Sequence, residues 1–146
     1  LRALDDTRLI DEASGWYDQG GGDVDSRHNY FYPLRIRPGG RTVALSEYGG
    51  IAWPMPGHEP PRKTYGYGTA KDKADLTKRY KMLQWKTILP QLGRGLSALV
   101  YTQLTDVEDE VNGLFTYDRA ALKPEAAAVR SCNAALAAEF AKVTAK

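Results

Sequence analysis

A single carboxylate at the end of a short apolar run is the feature of this sequence best suited to chemistry. Residues 43–47 read Val-Ala-Leu-Ser-Glu, too short a run for a helix, and Tyr48, Gly49 and Gly50 follow at once. This pattern is typical of a buried strand that delivers Glu47 to the rim of a sheet, where the backbone turns sharply. In a parallel α/β barrel, residues at the carboxyl ends of the strands carry the chemistry. Many strand-end glutamates meet only solvent or an arginine, so the pattern by itself leaves both interpretations open.

Other polar and aromatic side chains fall near the ends of other predicted strands. His28 and Tyr30 lie two residues apart and so share one face of a strand, and Gln103 lies near the end of another. Trp16 follows the first predicted strand, where an indole is either core packing or a platform for a sugar ring. His28 and Tyr30 could equally be core residues, and the acidic residues 106–110 could form only a solvated loop.

The composition predicts one ordinary globular domain. The chain has 146 residues, 42% of them hydrophobic, and a formal net charge of +2. It has no basic block that would indicate a nucleic-acid partner and no apolar segment long enough to cross a membrane. Two histidines and one cysteine far apart give no metal-ligand pattern, and the glycines at 20–22 lack the spacing of a phosphate loop, so we expect no metal and no cofactor. The start at Leu1 rather than Met predicts a piece of a longer protein and leaves its localisation unknown.

Strands and helices alternate in the predicted secondary structure. Strands are expected at residues 8–13, 24–30, 42–47 and 98–104. Long helices are expected at residues 72–92, with Asp72 as the N-cap, and at residues 124–143. This alternation implies a parallel sheet with crossover connections. The loop 53–70 is rich in proline, glycine and aromatic residues, and we expect it to pack over a site.

The predicted fold is therefore α/β, a fragment of a (β/α)8 TIM barrel that occupies residues 1–146. Four strand–helix units amount to about half of the eight-stranded barrel. An isolated half-barrel leaves strand edges and an inner face uncovered, so we expect the chain alone to self-associate. Because residues two apart in a strand share a face, we expect Val43 and Leu45 to point inward together with Glu47.

Five segments carry a resemblance to a known family: residues 6–9 (Asp-Thr-Arg-Leu), 13–16 (Ala-Ser-Gly-Trp), 28–30 (His-Asn-Tyr), 46–50 (Ser-Glu-Tyr-Gly-Gly) and 101–118. In this order they resemble the barrel domain of glycoside hydrolase family 2, which includes β-galactosidases, β-mannosidases and β-glucuronidases. The match spans nearly the whole chain, and its last two segments are the most specific. The resemblance implies approximately strands five to eight of the barrel, with its last two long helices, and a retaining β-glycosidase that hydrolyses O-glycosidic bonds.

The resemblance also implies a role for individual residues. Glu47 corresponds to the catalytic nucleophile of the family, and Tyr30 matches a tyrosine that hydrogen-bonds the nucleophile. His28 lies where family members carry a polar residue that faces the sugar. The remaining rim positions, which shape the sugar-binding subsite, are Trp16, Trp53 and Gln103. The implied partners are a carbohydrate substrate and the rest of the parent polypeptide.

One departure from the family pattern concerns the second carboxyl group. Family members carry their acid/base glutamate in an Asn-Glu pair, and no Asn of this sequence precedes a Glu. Retaining hydrolysis needs two carboxyls roughly 5 to 5.5 Å apart. The acid/base residue is therefore expected upstream of Leu1, which would leave this chain inactive alone. Asp18, Asp23 and Asp106 are conceivable substitutes, although no spacing supports them.

Two alternative functions remain open at this stage. The protein could bind carbohydrate without cleaving it. It could also be a retaining glycosidase of another family in the same clan, in which case Glu47 would keep its role and the substrate would differ.

Overall fold

A three-stranded parallel sheet forms the centre of the molecule. The computed structural model describes residues 1–12, 15–31, 33–37, 39–58 and 63–145. The strands are β1 (Val24–Asn29), β2 (Thr42–Gly49) and β3 (Leu96–Thr102), and they are ordered β1-β2-β3. The sheet is open, because within the described part of the chain β1 and β3 each pair on one side only.

The prediction of a four-stranded TIM-barrel fragment is wrong. The predicted strand 8–13 is absent from the described residues 8–12, and Ala13 lies outside them. Its only large apolar residues are Leu9, which is 74% exposed, and Ile10, so the run has too little apolar surface to hold a strand. The side chain of Asp23 instead accepts the Ile10 N–H at 2.9 Å and holds this segment as an irregular loop.

The two predicted helical regions are confirmed. The first consists of α1 (Lys73–Met82), a π-helical segment (Leu83–Ile88) and α2 (Leu89–Leu92), and the side chain of Asp72 caps its start by accepting the Asp75 N–H. Pro90 lacks the N–H that an α-helix would use there, which accounts for wider turns just before it. The second helical region is α3 (Ala126–Thr144).

The hydrophobic core lies between the sheet and these helices. Val43, Leu45 and Tyr48 of β2 are buried against a helical surface that includes Ile88 and Leu136. Complete burial of each such aliphatic side chain contributes about 1.5 to 3 kcal/mol, so the helices fix the position of β2 from one side. The central strand is thus the most firmly held element of the sheet.

A β-bulge in β2 corrects the predicted alternation. Leu45 pairs with Arg27, whereas the next β1 residue, His28, pairs with Glu47, so Ser46 is an extra residue. Val43 and Leu45 therefore face the helices together with Tyr48, and they do not share a face with Glu47. Bulges of this kind bend a strand and re-aim a side chain. Here the bulge brings Glu47 beside His28 on the face of the sheet that points away from the helices.

Candidate active site

Glu47 is a half-exposed carboxylate whose orientation is set by a phenol. The Tyr30 hydroxyl donates to Glu47 Oε2 at 2.7 Å. Thr102 Oγ1 lies 3.1 Å from the same phenol oxygen. Because the phenol has one proton and the carboxylate is the stronger acceptor, the Thr102 hydroxyl is left to donate to Tyr30. All three strands thus contribute to one hydrogen-bonded chain, with Tyr30 directly after β1, Glu47 near the end of β2 and Thr102 at the end of β3.

Tyr30 remains a hydrogen-bond donor over the ordinary pH range. Burial raises the pKa of its phenol, and the bond to Glu47 adds to the rise, while Thr102 opposes it. A phenol that keeps its proton cannot repel the carboxylate as a second anion. The Tyr30 proton therefore stays available to hold the Glu47 side chain in one rotamer.

His28 completes the immediate surroundings of the carboxylate. Its Nδ1 lies 3.2 Å from Glu47 Oε2, and the side chain of His28 is only 6% exposed, against 45% for Glu47. The approach lacks hydrogen-bond geometry, so Nδ1 is a buried polar atom with no hydrogen-bond partner. Such an atom is costly to leave unpaired, and this one lies against the most open carboxylate of the sheet edge.

Aromatic rings form a wall next to these groups. The Trp16 ring meets the His28 ring edge-on, with centroids 5.2 Å apart, and remains 53% exposed. The Tyr67 ring stacks on the Tyr30 ring at 3.8 Å. Phe31 meets Tyr67 edge-on at 5.2 Å. The wall offers flat apolar surface and holds the phenol that contacts Glu47.

Two glycines permit this close packing. A Cβ at Gly15 would lie 2.0 Å from His28 Cδ2, and the φ of +92° is one that other residues rarely adopt. A Cβ at Gly50 would lie 2.9 Å from Tyr30 Cε1, again at a positive φ. The need for glycine at positions 15 and 50 is therefore explained by contacts of the site itself.

Gln103 and Trp53 form hydrogen bonds with a neighbouring segment, and among the described residues neither forms one with Glu47. The Gln103 amide nitrogen donates to Glu110 Oε2 at 3.1 Å and to the Asn112 side-chain oxygen at 2.8 Å. The Asn112 amide in turn donates to Glu110 Oε2 at 2.9 Å. The backbone N–H of Trp53 donates to the Val111 carbonyl at 2.8 Å, which places Trp53 beside the same segment.

The three aspartates considered as substitutes for a second carboxyl group are engaged elsewhere. Asp18 pairs with Arg41, and Asp23 pairs with Arg2. Asp106 is buried with Lys123, at 2.7 Å. Within the described residues, the groups in contact with Glu47 are a phenol and an imidazole, and none is a carboxylate.

Sequence reasoning missed several residues of this region. Thr102 and Tyr67 support Tyr30, and Asn112 supports Glu110. Glu110 was interpreted as a residue of a solvated loop, yet it accepts two hydrogen bonds from amide side chains. The sequence shows no periodic pattern that links Gln103, Glu110 and Asn112. Their contact depends on a loop that returns to the sheet edge.

Within the part of the chain that the structure describes, Glu47 lies on an open surface and not in an enclosed cavity. One cavity of about 620 Å³ lies against α1 around Lys73 and Lys81, and another of about 500 Å³ lies behind Tyr30 and Tyr67. Glu47 lines neither of them. A ligand bound at Glu47 would therefore need a second wall to be enclosed.

The described ranges hold neither a metal-binding cluster nor a membrane-spanning helix. They contain no group of three or more His, Cys, Asp or Glu side chains placed to hold a metal ion. None of their helices combines the length and apolar character needed to cross a membrane. Comparison of the chain with protein-family models gives no match, and neither does comparison with curated proteins.

Proposed function

We propose that Glu47 is the nucleophile of a retaining β-glycosidase whose acid/base glutamate lies outside this chain. The observation that carries the proposal is the asymmetry of the carboxylate. Oε2 accepts the Tyr30 hydroxyl, while Oε1 accepts no hydrogen bond from the described residues and the side chain is half exposed. One oxygen is thus held in place and the other is left available to attack.

The chemistry assigned to Glu47 is a double displacement. Its free oxygen forms a bond to the anomeric carbon as the bond to the leaving oxygen breaks, and the external glutamic acid protonates that oxygen. The same external residue then takes a proton from water, which attacks the anomeric carbon and releases Glu47. Tyr30 holds the nucleophile before attack, because its phenol stays protonated and donates to the oxygen that does not react.

The aromatic wall suits a sugar as the substrate. A pyranose presents C–H groups on its faces and hydroxyls at its edge, so an exposed ring supports the face while polar groups bind the edge. Trp16 is exposed and fixed by its contact with His28. The open surface at Glu47 requires a second wall, which the proposal assigns to the polypeptide that supplies the acid/base residue.

The test is covalent labelling with 2-deoxy-2-fluoro glycosides that carry good leaving groups, in gluco, galacto, manno and glucurono forms. The full polypeptide that carries this chain is incubated with each reagent and digested with trypsin. Cleavage after Arg41 and Arg62 gives the peptide 42–62, which contains Glu47 and Glu59. Fragmentation spectra then locate the sugar on one of these two residues.

A sugar on Glu47 is the expected result, and it supports both the nucleophile and the retaining mechanism. Glu47→Gln should abolish the label, while Glu139→Gln on α3 should keep it. The proposal is wrong if folded protein takes no label from any reagent, or if the label falls on another residue. Saturable sugar binding without labelling would instead indicate a carbohydrate-binding protein that is not an enzyme.

A further inference from the structure

We propose that Glu110 determines the substrate class of this site, and that the class is a neutral glycoside and not a uronide. The inference rests on the proposed function, since it describes the sugar that Glu47 would attack. It assigns to Glu110 a direct contact with the hydroxyl groups of that sugar. Glu110 would thus be a specificity-determining residue.

The first observation is that hydrogen bonds hold the Glu110 carboxylate in place. The amide side chains of Gln103 and Asn112 both donate to its Oε2. The Gln103 amide also donates to the Asn112 side-chain oxygen. Within the described residues Oε1 accepts no hydrogen bond. One oxygen is fixed and the other is free, as in Glu47, so the carboxylate can accept from a ligand without losing an existing bond.

The second observation is that the segment beneath Glu110 is rigid. Asn112 is 1% exposed. The buried Lys123 ammonium donates to the Val111 carbonyl at 2.8 Å, and Asp106 accepts the Gly113 N–H at 2.8 Å. A carboxylate supported in this way keeps its position when a ligand binds, which is what selectivity for hydroxyl geometry requires.

The third observation is that Glu110 and Glu47 are connected through Tyr65, Tyr67 and Tyr30. These five residues are called the rim. Tyr65 bridges to Glu110 through the backbone, and its ring lies 5.5 Å from that of Tyr67, which stacks on Tyr30. Burial raises the pKa of the Tyr67 phenol, and the charges of Glu110 and Glu47 both add to the rise. Both carboxylates therefore act on the same phenol.

A further feature of this rim indicates a polar ligand. His28 Nδ1 is buried beside Glu47 and has no hydrogen-bond partner among the described residues, so this rim holds a polar atom that remains to be satisfied. A sugar hydroxyl can donate to or accept from an imidazole nitrogen, and it can donate to a carboxylate. Hydroxyl-rich ligands match both groups.

The charge of Glu110 decides between neutral and acidic sugars. A uronide would add a third carboxylate to a rim that already carries Glu47 and Glu110, and like charges near a protein surface repel each other. A neutral glycoside avoids this repulsion and supplies hydroxyl donors to Glu110 Oε1. The rim therefore favours neutral sugars on grounds of both charge and hydrogen bonding.

The experiment compares labelling rates at Glu47 for 2-fluoroglucosyl and 2-fluoroglucuronyl reagents, which carry a neutral hydroxymethyl group and a carboxylate, respectively, on C5. We expect the wild-type protein to prefer the neutral reagent. In Glu110→Gln the ratio of the glucuronyl to the glucosyl rate should rise roughly 10- to 50-fold, as expected for removal of one nearby charge. Glu110→Asp, which keeps the charge, and Glu108→Gln, an exposed position on the same loop, should leave the ratio within about 2-fold of wild type.

A measurement on the wild-type protein keeps the inference testable if Glu110→Gln does not fold. High salt should reduce the preference for the neutral reagent, because it screens the repulsion. Label on Glu47 with an unchanged ratio in Glu110→Gln overturns the inference and leaves the proposed function intact. A wild-type preference for the glucuronyl reagent also overturns it. Absence of label on Glu47 with either reagent overturns both proposals.

Discussion

Glu47 and Asp106 are carboxylates near the same edge of the sheet, but they lie in opposite environments. Asp106 has a side chain 2% exposed and accepts from the Lys123 ammonium, which is itself fully buried. Glu47 is 45% exposed and meets a phenol and an imidazole, and no Lys or Arg of the described residues forms an ion pair with it. One carboxylate is neutralised within the fold, and the other keeps an open oxygen.

The difference separates a structural role from a chemical one. A buried carboxylate paired with a cation is costly to disturb and has nothing left to offer a ligand. A carboxylate held by neutral donors on one oxygen keeps its charge and its second oxygen for reaction. Five expected outcomes test this contrast, from the largest effect to the smallest.

The largest effect is expected at Glu47. Glu47→Gln keeps the size of the side chain and removes the nucleophile, so turnover of an aryl glycoside should fall by roughly 10³- to 10⁶-fold, the range seen when members of a catalytic group are removed. The unfolding midpoint in urea should change little, because the side chain is half exposed. Near-normal turnover would show that Glu47 is as inert as Asp106.

The next effect is expected at the buried pair. Lys123→Met leaves Asp106 buried without its cation, which should lower the free energy of unfolding by about 3 to 5 kcal/mol. Addition of Asp106→Asn should recover part of this loss, since it removes the unpaired charge. Lys142→Met, which breaks an exposed pair with Glu139, should cost no more than about 1 kcal/mol. Equal losses of unfolding free energy in Lys123→Met and Lys142→Met would show that burial does not make the Asp106–Lys123 pair more important for stability.

The stability of Lys123→Met should also depend on pH in a defined direction. Burial raises the pKa of Asp106 above its ordinary value of 3.8, and the hydrogen bond from Lys123 opposes this rise. Without Lys123 the folded-state pKa should rise further, so the folded protein binds more protons than the unfolded chain above pH 3.8. The stability deficit of Lys123→Met should therefore shrink as the pH is lowered toward 4, in urea titrations run at several pH values.

A smaller effect is expected when the support of Glu47 is removed. Tyr30→Phe deletes a hydrogen bond to a charged group, which contributes about 1.5 to 3 kcal/mol, or roughly 10- to 150-fold in rate. The loss should fall on the rate of covalent labelling, with sugar binding nearly unchanged. Thr102→Val should reduce the rate less, and Tyr17→Phe, at an exposed position, should not reduce it at all. A loss of binding with an unchanged labelling rate would show that Tyr30 contacts the sugar instead.

The sequence was sufficient for the parts of the fold that depend on local pattern. The apolar runs predicted β1 and β2 nearly in place, and Asp72 marked the start of the first helical region. The segment 8–13 was mistaken for a strand, although Leu9 and Ile10 alone cannot support one. Since four strands were needed for a half-barrel, that single error produced the wrong fold.

The site was predictable only in part, because its geometry depends on contacts between distant segments. Glu47 was identified as the side chain at the end of β2, but its direction follows from the extra residue at Ser46, which strict alternation does not reveal. Glu110 and Asn112 meet Gln103 because the loop after β3 returns to the sheet edge. The buried Lys123 that fixes this loop was missed, because nothing in its local sequence distinguishes it from a surface lysine.

The smallest effect concerns Asp118. Its side chain is about as exposed as that of Glu47, but it accepts several hydrogen bonds. Hydrogen bonds from Thr116 and Ala120, and then from His58, lower the pKa of Asp118 from 3.8 to about 2. The folded state therefore favours the ionised form, and its stabilising contribution is complete above pH 3.8 and lost as the pH falls toward 2. The difference in urea midpoint between wild type and Asp118→Asn should be constant near neutral pH and should shrink below pH 4. A difference that stays constant down to pH 2 would mean that Asp118 stabilises its loop by shape and not by charge.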